Sequence, residues 1–161
     1  MVGKEIEYFS DQVKRMETLG CELGNHTYSH TDLATLAPED MSAEIAGVDE
    51  LLTELTGHGA TVVRPPYGSV NSSVKETVGT PMILWSIDTL DWESQDPQKI
   101  VDTTLSQVED GSIILMHDIF STTVDAAEIL IPQLKKQGYE MVTVHELAKE
   151  TGSSWGRDYI Q

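Results

Sequence analysis

Two histidines four positions apart, His26 and His30 in Gly-Asn-His-Thr-Tyr-Ser-His, are the residues best suited to chemistry in this chain. At that spacing two imidazoles share one side of a helix or a tight loop. Neutral imidazole nitrogens suit Zn, Co or Ni at about 2.0–2.1 Å. Alone, the same pair reads more often as a structural or surface feature than as metal ligands. Thr27 stands where the HExxH metallopeptidases need a glutamate, which argues against peptide hydrolysis. Three further polar clusters follow: Arg64-Pro65-Pro66-Tyr67-Gly68, Asp88-Thr89-Leu90-Asp91-Trp92 and Leu115-Met116-His117.

Each cluster comes directly after a strand-like run, so the elements that position them matter. Phe9, Val13 and Met16 recur at helical spacing, with Gly20 stopping the run. The pattern predicts a helix over 38–56, with Met41, Ile45, Val48, Leu52 and Leu55 on one face and Gly57 beyond its end. Asn71 is positioned to cap a short helix, and Asp96-Pro97 reads as N-cap and first helical residue of another. A further helix runs from about 123 to 137, with Pro132 a possible kink, and a last short one begins near His145. Strands are expected at 21–24, 61–63, 82–87, 112–116 and 139–144. Five strands alternating with helices imply an α/β fold with parallel strands and right-handed crossovers. In such folds the loops after the strands gather at the carboxyl edge of the sheet. Topology is therefore expected to bring His26, Arg64, Asp91 and His117 together.

Composition excludes some classes. Ten basic against 27 acidic side chains give a formal charge of −17 over 161 residues. A surface that acidic repels nucleic-acid phosphates and anionic membranes. No run approaches the roughly 18–20 apolar residues of a membrane span, and no signal-peptide pattern opens the chain. Cys21 is alone, so no internal disulfide is expected, and it reads as a small buried residue.

In order, these motifs resemble those of the polysaccharide deacetylases, the NodB-homology domain of carbohydrate esterase family 4. His26-Thr27-Tyr28-Ser29-His30 resembles the family's metal motif, Arg64 to Tyr67 its Arg-Pro-Pro-Tyr, Asp91-Trp92 its Asp-Trp, and Leu115 to His117 its Leu-x-His. The resemblance covers residues 1–150 as the C-terminal portion of a deacetylase domain, with 151–161 a polar tail. It implies a partial, distorted (β/α) barrel and a metal-dependent hydrolase that removes acetyl groups from an acetylated polysaccharide, foremost from N-acetylglucosamine units. It implies His26 and His30 as ligands of a divalent metal, Zn with Co or Ni as alternatives. Tyr67 would contribute a backbone N–H to an oxyanion hole. His117 would be the general acid, favoured in its charged form by Asp91. Trp92 and Leu115 would line the acetyl pocket, though both suit a plain core equally. The parent protein is expected outside the cell or in its envelope.

One motif departs from the family. Its Thr-Phe-Asp-Asp, which supplies the general base and a third metal ligand, does not occur in these 161 residues. Met1 to Lys4 resembles the end of the family's second strand, which leaves the first strand–helix unit without a counterpart. Impaired activity is therefore expected, with Arg64 left to pair with Asp91 or solvent because its family partner is absent. Exposed sheet edges would favour self-association. The alternative is a non-catalytic carbohydrate-binding or interaction module on a degenerate deacetylase scaffold.

Overall fold

The computed structural model describes residues 1–152. In chain order its helices are α1 (Gly3–Tyr8), α2 (Ser10–Thr18), α3 (Pro38–Thr56), α4 (Ser72–Thr77), α5 (Asp91–Ser94), α6 (Pro97–Gln107), α7 (Ser121–Gln137) and α8 (Val144–Thr151). Its strands are β1 (Ile87–Asp88) and β2 (Ile114–Leu115), and single 3-10 turns occupy Leu33–Thr35 and Pro66–Gly68. The described chain divides into two compact units, one formed by residues 1–84 with residues 143–152, the other by residues 85–142.

In the first unit, parallel bridges join Asn25 to Val63 and Val63 to Met82. Four backbone bonds carry them: Asn25 N–H to the Val62 carbonyl, Arg64 N–H to Asn25, Val63 N–H to Pro81 and Ile83 N–H to Val63, all at 2.8–2.9 Å. The strands expected at 61–63 and 82–87 are thus present as ladders only about one residue wide, and none forms at 21–24, where bridging begins instead at Asn25. Pro65, Pro66 and Pro81 flank them, and proline has no N–H with which to extend a ladder. The helix expected at 38–56 forms with those bounds, Pro38 in its first turn and Gly57 closing it at φ 90°. Its Met41, Val48 and Leu52 are fully buried, each worth roughly 1.5–3 kcal/mol relative to exposure. Val48 and Leu52 pack with Ile6, Val13 and Leu23, whereas Met41 packs with Leu33, Val63, Val74 and Met82.

The second unit pairs β1 with β2 in parallel, Ile87 beside Ile114 and Asp88 beside Leu115. Against them α6 and α7 bury Ile100, Val101, Ala126, Leu130 and Leu134 as one cluster. Asp96 caps α6 by accepting from the Gln98 and Lys99 N–H groups, as its place before Pro97 predicts. Helix α7 runs through Pro132 without a break.

Several expectations need correcting. The opening is extended only to Val2, because Gly3 already starts α1. Phe9 lies between α1 and α2 and is half exposed instead of facing the core. Cys21 is exposed, because it follows the turn at Gly20 that ends α2. No strand forms at 139–144, where among the described residues the backbone of Glu140, Met141 and Val142 has no partner and α8 begins at Val144. Helix α5 was not expected; it follows Leu90, a non-glycine residue at φ 53°. Of the tail expected at 151–161, residues from 153 on, with Trp155 and Tyr159, lie outside the described residues.

Candidate active site

In the first unit the ladder residue Asn25 delivers His26 onto a loop that also carries His30. The two rings meet edge to face, with centroids 4.8 Å apart at 77°, and His30 meets the Tyr67 ring likewise at 5.1 Å. His26 Nδ1 lies 2.5 Å from the Arg64 carbonyl. A carbonyl can only accept, so Nδ1 carries the proton and Nε2 keeps its lone pair. Burial pushes the His26 pKa down to about 4 against the opposing hydrogen bond, so the ring is neutral near pH 7. Three non-glycine residues here hold positive φ: Thr27 and His30 at 62° and Tyr67 at 61°. For a β-branched residue such as Thr27 this is a true outlier, worth about 1–3 kcal/mol of strain. Its hydroxyl is buried and has no partner among the described residues.

The Arg-Pro-Pro-Tyr-Gly segment turns sharply at Pro66–Gly68. The Gly68 and Ser69 N–H groups close onto the carbonyls of Pro65 and Pro66, whereas Tyr67 N–H closes onto none. The Arg64 guanidinium lies largely inside the unit. Nη2 donates to the Leu84 carbonyl at 3.2 Å, Nε is buried without a partner, and desolvation lowers its pKa. Among the described residues no carboxylate pairs with it. The expected partner Asp91 is committed elsewhere.

In the second unit Asp91, fully buried, accepts three bonds: His117 N–H at 2.6 Å, His117 Nδ1–H at 2.8 Å and the Thr123 hydroxyl at 2.8 Å. Burial alone would raise the Asp91 pKa, but these bonds outweigh it and hold the carboxyl below its usual range. The carboxylate fixes the His117 tautomer, leaving Nε2 as the atom that exchanges a proton. Thr123 was not foreseen; one threonine in a helix's first turn carries no sequence signal. Asp88 accepts from Leu90 N–H at 3.0 Å and so shapes the turn before Asp91. Trp92 is half exposed and Leu115 buried. His58 is exposed, as its turn composition predicts, and His145 begins α8 with its N–H and Nδ1 on Glu22.

The structure thus gathers His26, His30, Arg64 and Tyr67 in one unit, and Asp91, His117 and Leu115 in the other. As a test of metal fit, His26 offers a neutral Nε2 and His30 a second imidazole beside it, a ligand type suited to a divalent cation. Among the described residues no third His, Cys, Asp or Glu completes a metal-holding group. The pair fits as two ligands of such an ion.

The imidazole pair of one unit and the carboxylate-anchored histidine of the other lie in the motifs that resemble those of the polysaccharide deacetylases. The comparisons agree. The family described as polysaccharide deacetylase matches residues 1–80. A peptidoglycan-N-acetylmuramic acid deacetylase, PdaC of Bacillus subtilis, is 35% identical over 91% of this chain and 32% of its own length. A peptidoglycan-N-acetylglucosamine deacetylase, PgdA of Listeria monocytogenes, is 38% identical over 93% of this chain and 32% of its own length. The chain therefore spans about a third of the length of these relatives. Among solved structures, T48 deacetylase with substrate superposes with a TM-score of 0.94 at 35% identity, over 99% of this chain and 80% of that one. A family 4 acetyl xylan esterase from Clostridium thermocellum with a cobalt ion gives 0.90 at 26% identity, over 98% and 80%. The chain belongs to the polysaccharide deacetylase family. Its fold class is the expected one, α/β with parallel strands, a partial (β/α) barrel.

Proposed function

We propose that residues 1–150 are the C-terminal portion of a metal-dependent deacetylase domain, and that the protein removes acetyl groups from an acetylated polysaccharide, foremost from N-acetylglucosamine units. The strongest support is the tautomer of His26, whose Nδ1–H is held by the Arg64 carbonyl while a neutral Nε2 stays free to ligate. His26 and His30 are assigned to a divalent cation, zinc with cobalt or nickel as substitutes. Bound there, such an ion supplies Lewis acidity toward the acetyl carbonyl.

The chain's own groups take the remaining roles. Tyr67 offers its backbone N–H to the carbonyl oxygen as negative charge develops on it. His117, its ring fixed by Asp91, gives the Nε2 proton to the departing amine. Trp92 and Leu115 form the apolar surround of the acetyl methyl. Arg64 orients an aspartate of the Asp-Asp type, and none of that type occurs within these 161 residues. On their own, these residues are therefore impaired in activating water.

The names of the relatives support a cell-wall polymer as substrate and the envelope or exterior as the place of work. No described helix is long and apolar enough to cross a membrane. Self-association is assigned to the unpaired segment 140–142. Acetate release from N-acetylglucosamine oligomers, with zinc added, tests the activity. The 161 residues are expected to be nearly inactive, and a longer version carrying Thr-Phe-Asp-Asp ahead of Met1 is expected to gain orders of magnitude.

A further inference from the structure

Asn25 precedes the histidine pair, is fully buried, and has every polar group in use. Its N–H donates to the Val62 carbonyl and its carbonyl accepts from Arg64 N–H, both at 2.8 Å, which fixes it in the ladder. In its side chain, Oδ1 accepts from Thr27 N–H at 2.9 Å. Nδ2 donates to the Ile45 carbonyl at 2.9 Å and to Asp49 Oδ1 at 3.1 Å, both on α3. The bond to Thr27 closes over His26 and holds Thr27 at φ 62°, a conformation that a β-branched residue rarely keeps unaided. Glu44 of α3 fastens the other end. Its carboxylate accepts from Ser29 N–H at 2.8 Å and from the Ser29 hydroxyl at 2.6 Å, while its carbonyl accepts from Tyr28 N–H at 3.0 Å.

We infer that Asn25 is a positioning residue: its carboxamide, with Glu44 at the far end, clamps the 26–30 loop to α3 and sets the two imidazoles against each other. A leucine could fill the same space but could not supply the acceptor for Thr27 N–H. The link to metal affinity rests on the proposed function; the ring geometry does not.

The test uses the metal-free 161-residue chain. NMR of the imidazole resonances reports an NOE between the His26 and His30 rings, and competition with a chromophoric chelator reports zinc affinity. Asn25→Ala is expected to lose the NOE or split the ring resonances, and to weaken zinc binding by about tenfold or more, as loss of an orienting partner does. Adding Thr27→Gly is expected to recover part of that loss, because glycine takes positive φ freely. Leu130→Ala, a core change in the second unit, is expected to lower the melting temperature and leave the NOE intact. Glu44→Ala, at the far and less buried end of the clamp, removes the acceptor for the Ser29 N–H and hydroxyl and is expected to weaken the NOE or split the ring resonances. An Asn25→Ala chain with unchanged ring resonances overturns the inference. If that chain does not fold, unchanged ring resonances in Glu44→Ala overturn it instead. A wild-type chain that binds no zinc refutes the metal reading alone, and the NOE comparison still decides the role of Asn25.

Discussion

Asp91 grips His117 at two points, taking the backbone N–H on Oδ2 at 2.6 Å and the ring Nδ1–H on Oδ1 at 2.8 Å. The carboxylate thereby sets where the residue sits and which ring nitrogen faces outward. With the Thr123 hydroxyl also on Oδ2, a fully buried charge has three donors and little freedom.

Asp91→Ala leaves those donors without an acceptor, and the expected loss is about 3 kcal/mol, as for other broken buried charge-assisted networks. A urea melt checks it through a lower midpoint with an unchanged slope. A midpoint shift worth under about 1 kcal/mol, the ordinary effect of a single substitution, contradicts the bonding described.

His26 makes stability depend on pH in a definite direction. Its folded pKa of about 4 lies below the ordinary 6.5, so between these values the unfolded chain binds a proton that the folded chain refuses. The contribution is complete above pH 6.5 and is lost as pH falls toward 4, on the order of 2–3 kcal/mol in the metal-free chain. Denaturation midpoints across that window are expected to fall on acidification. His26→Asn is expected to flatten the slope.

Arg64 is a buried guanidinium without a carboxylate among the described residues. In the 161-residue chain Arg64→Met removes an uncompensated charge and keeps the aliphatic packing, so a gain of about 1–2 kcal/mol is expected. In a longer version carrying the Asp-Asp motif the same change is expected to destabilise and to abolish activity. Thermal melts of both proteins decide it, and destabilisation of the shorter one contradicts the reading.

The segment around Met141 and Val142, with these residues 43% and 44% exposed, reads as a strand but pairs with no other segment among the described residues. It is expected to drive concentration-dependent self-association despite the net charge of −17, most visibly at high salt, where that repulsion is screened. Sedimentation velocity is expected to show a monomer once Met141→Lys and Val142→Lys are introduced. A wild-type chain monomeric at high salt contradicts this.

Local signals made much of the molecule legible in advance. Pro38 and Gly57 bracket α3, Asn71 caps α4 through the Val74 N–H, and Asp96-Pro97 opens α6, because caps depend on neighbours in sequence. Strands depend on partners far along the chain. The residues expected to form a strand at 139–144 therefore join no ladder among the described residues, and those at 61–63 shrink to the two bridges of Val63. Both His26–His30 and Asp91–His117 could be read from motif order. The roles of Thr123 and Asn25 could not, since each rests on a hydrogen bond that no spacing rule encodes. Cys21 misled because its composition suggested burial, whereas its place after the α2 terminus exposes it.

The most direct test is acetate release from N-acetylglucosamine oligomers by a longer version carrying Thr-Phe-Asp-Asp, measured with zinc, after chelation, and with His26→Ala or His117→Ala. The account requires zinc-dependent release that each substitution lowers by about 100-fold or more, the scale on which acid–base and electrostatic groups act. Release that survives chelation and both substitutions would remove the imidazoles from the chemistry and contradict the assignment.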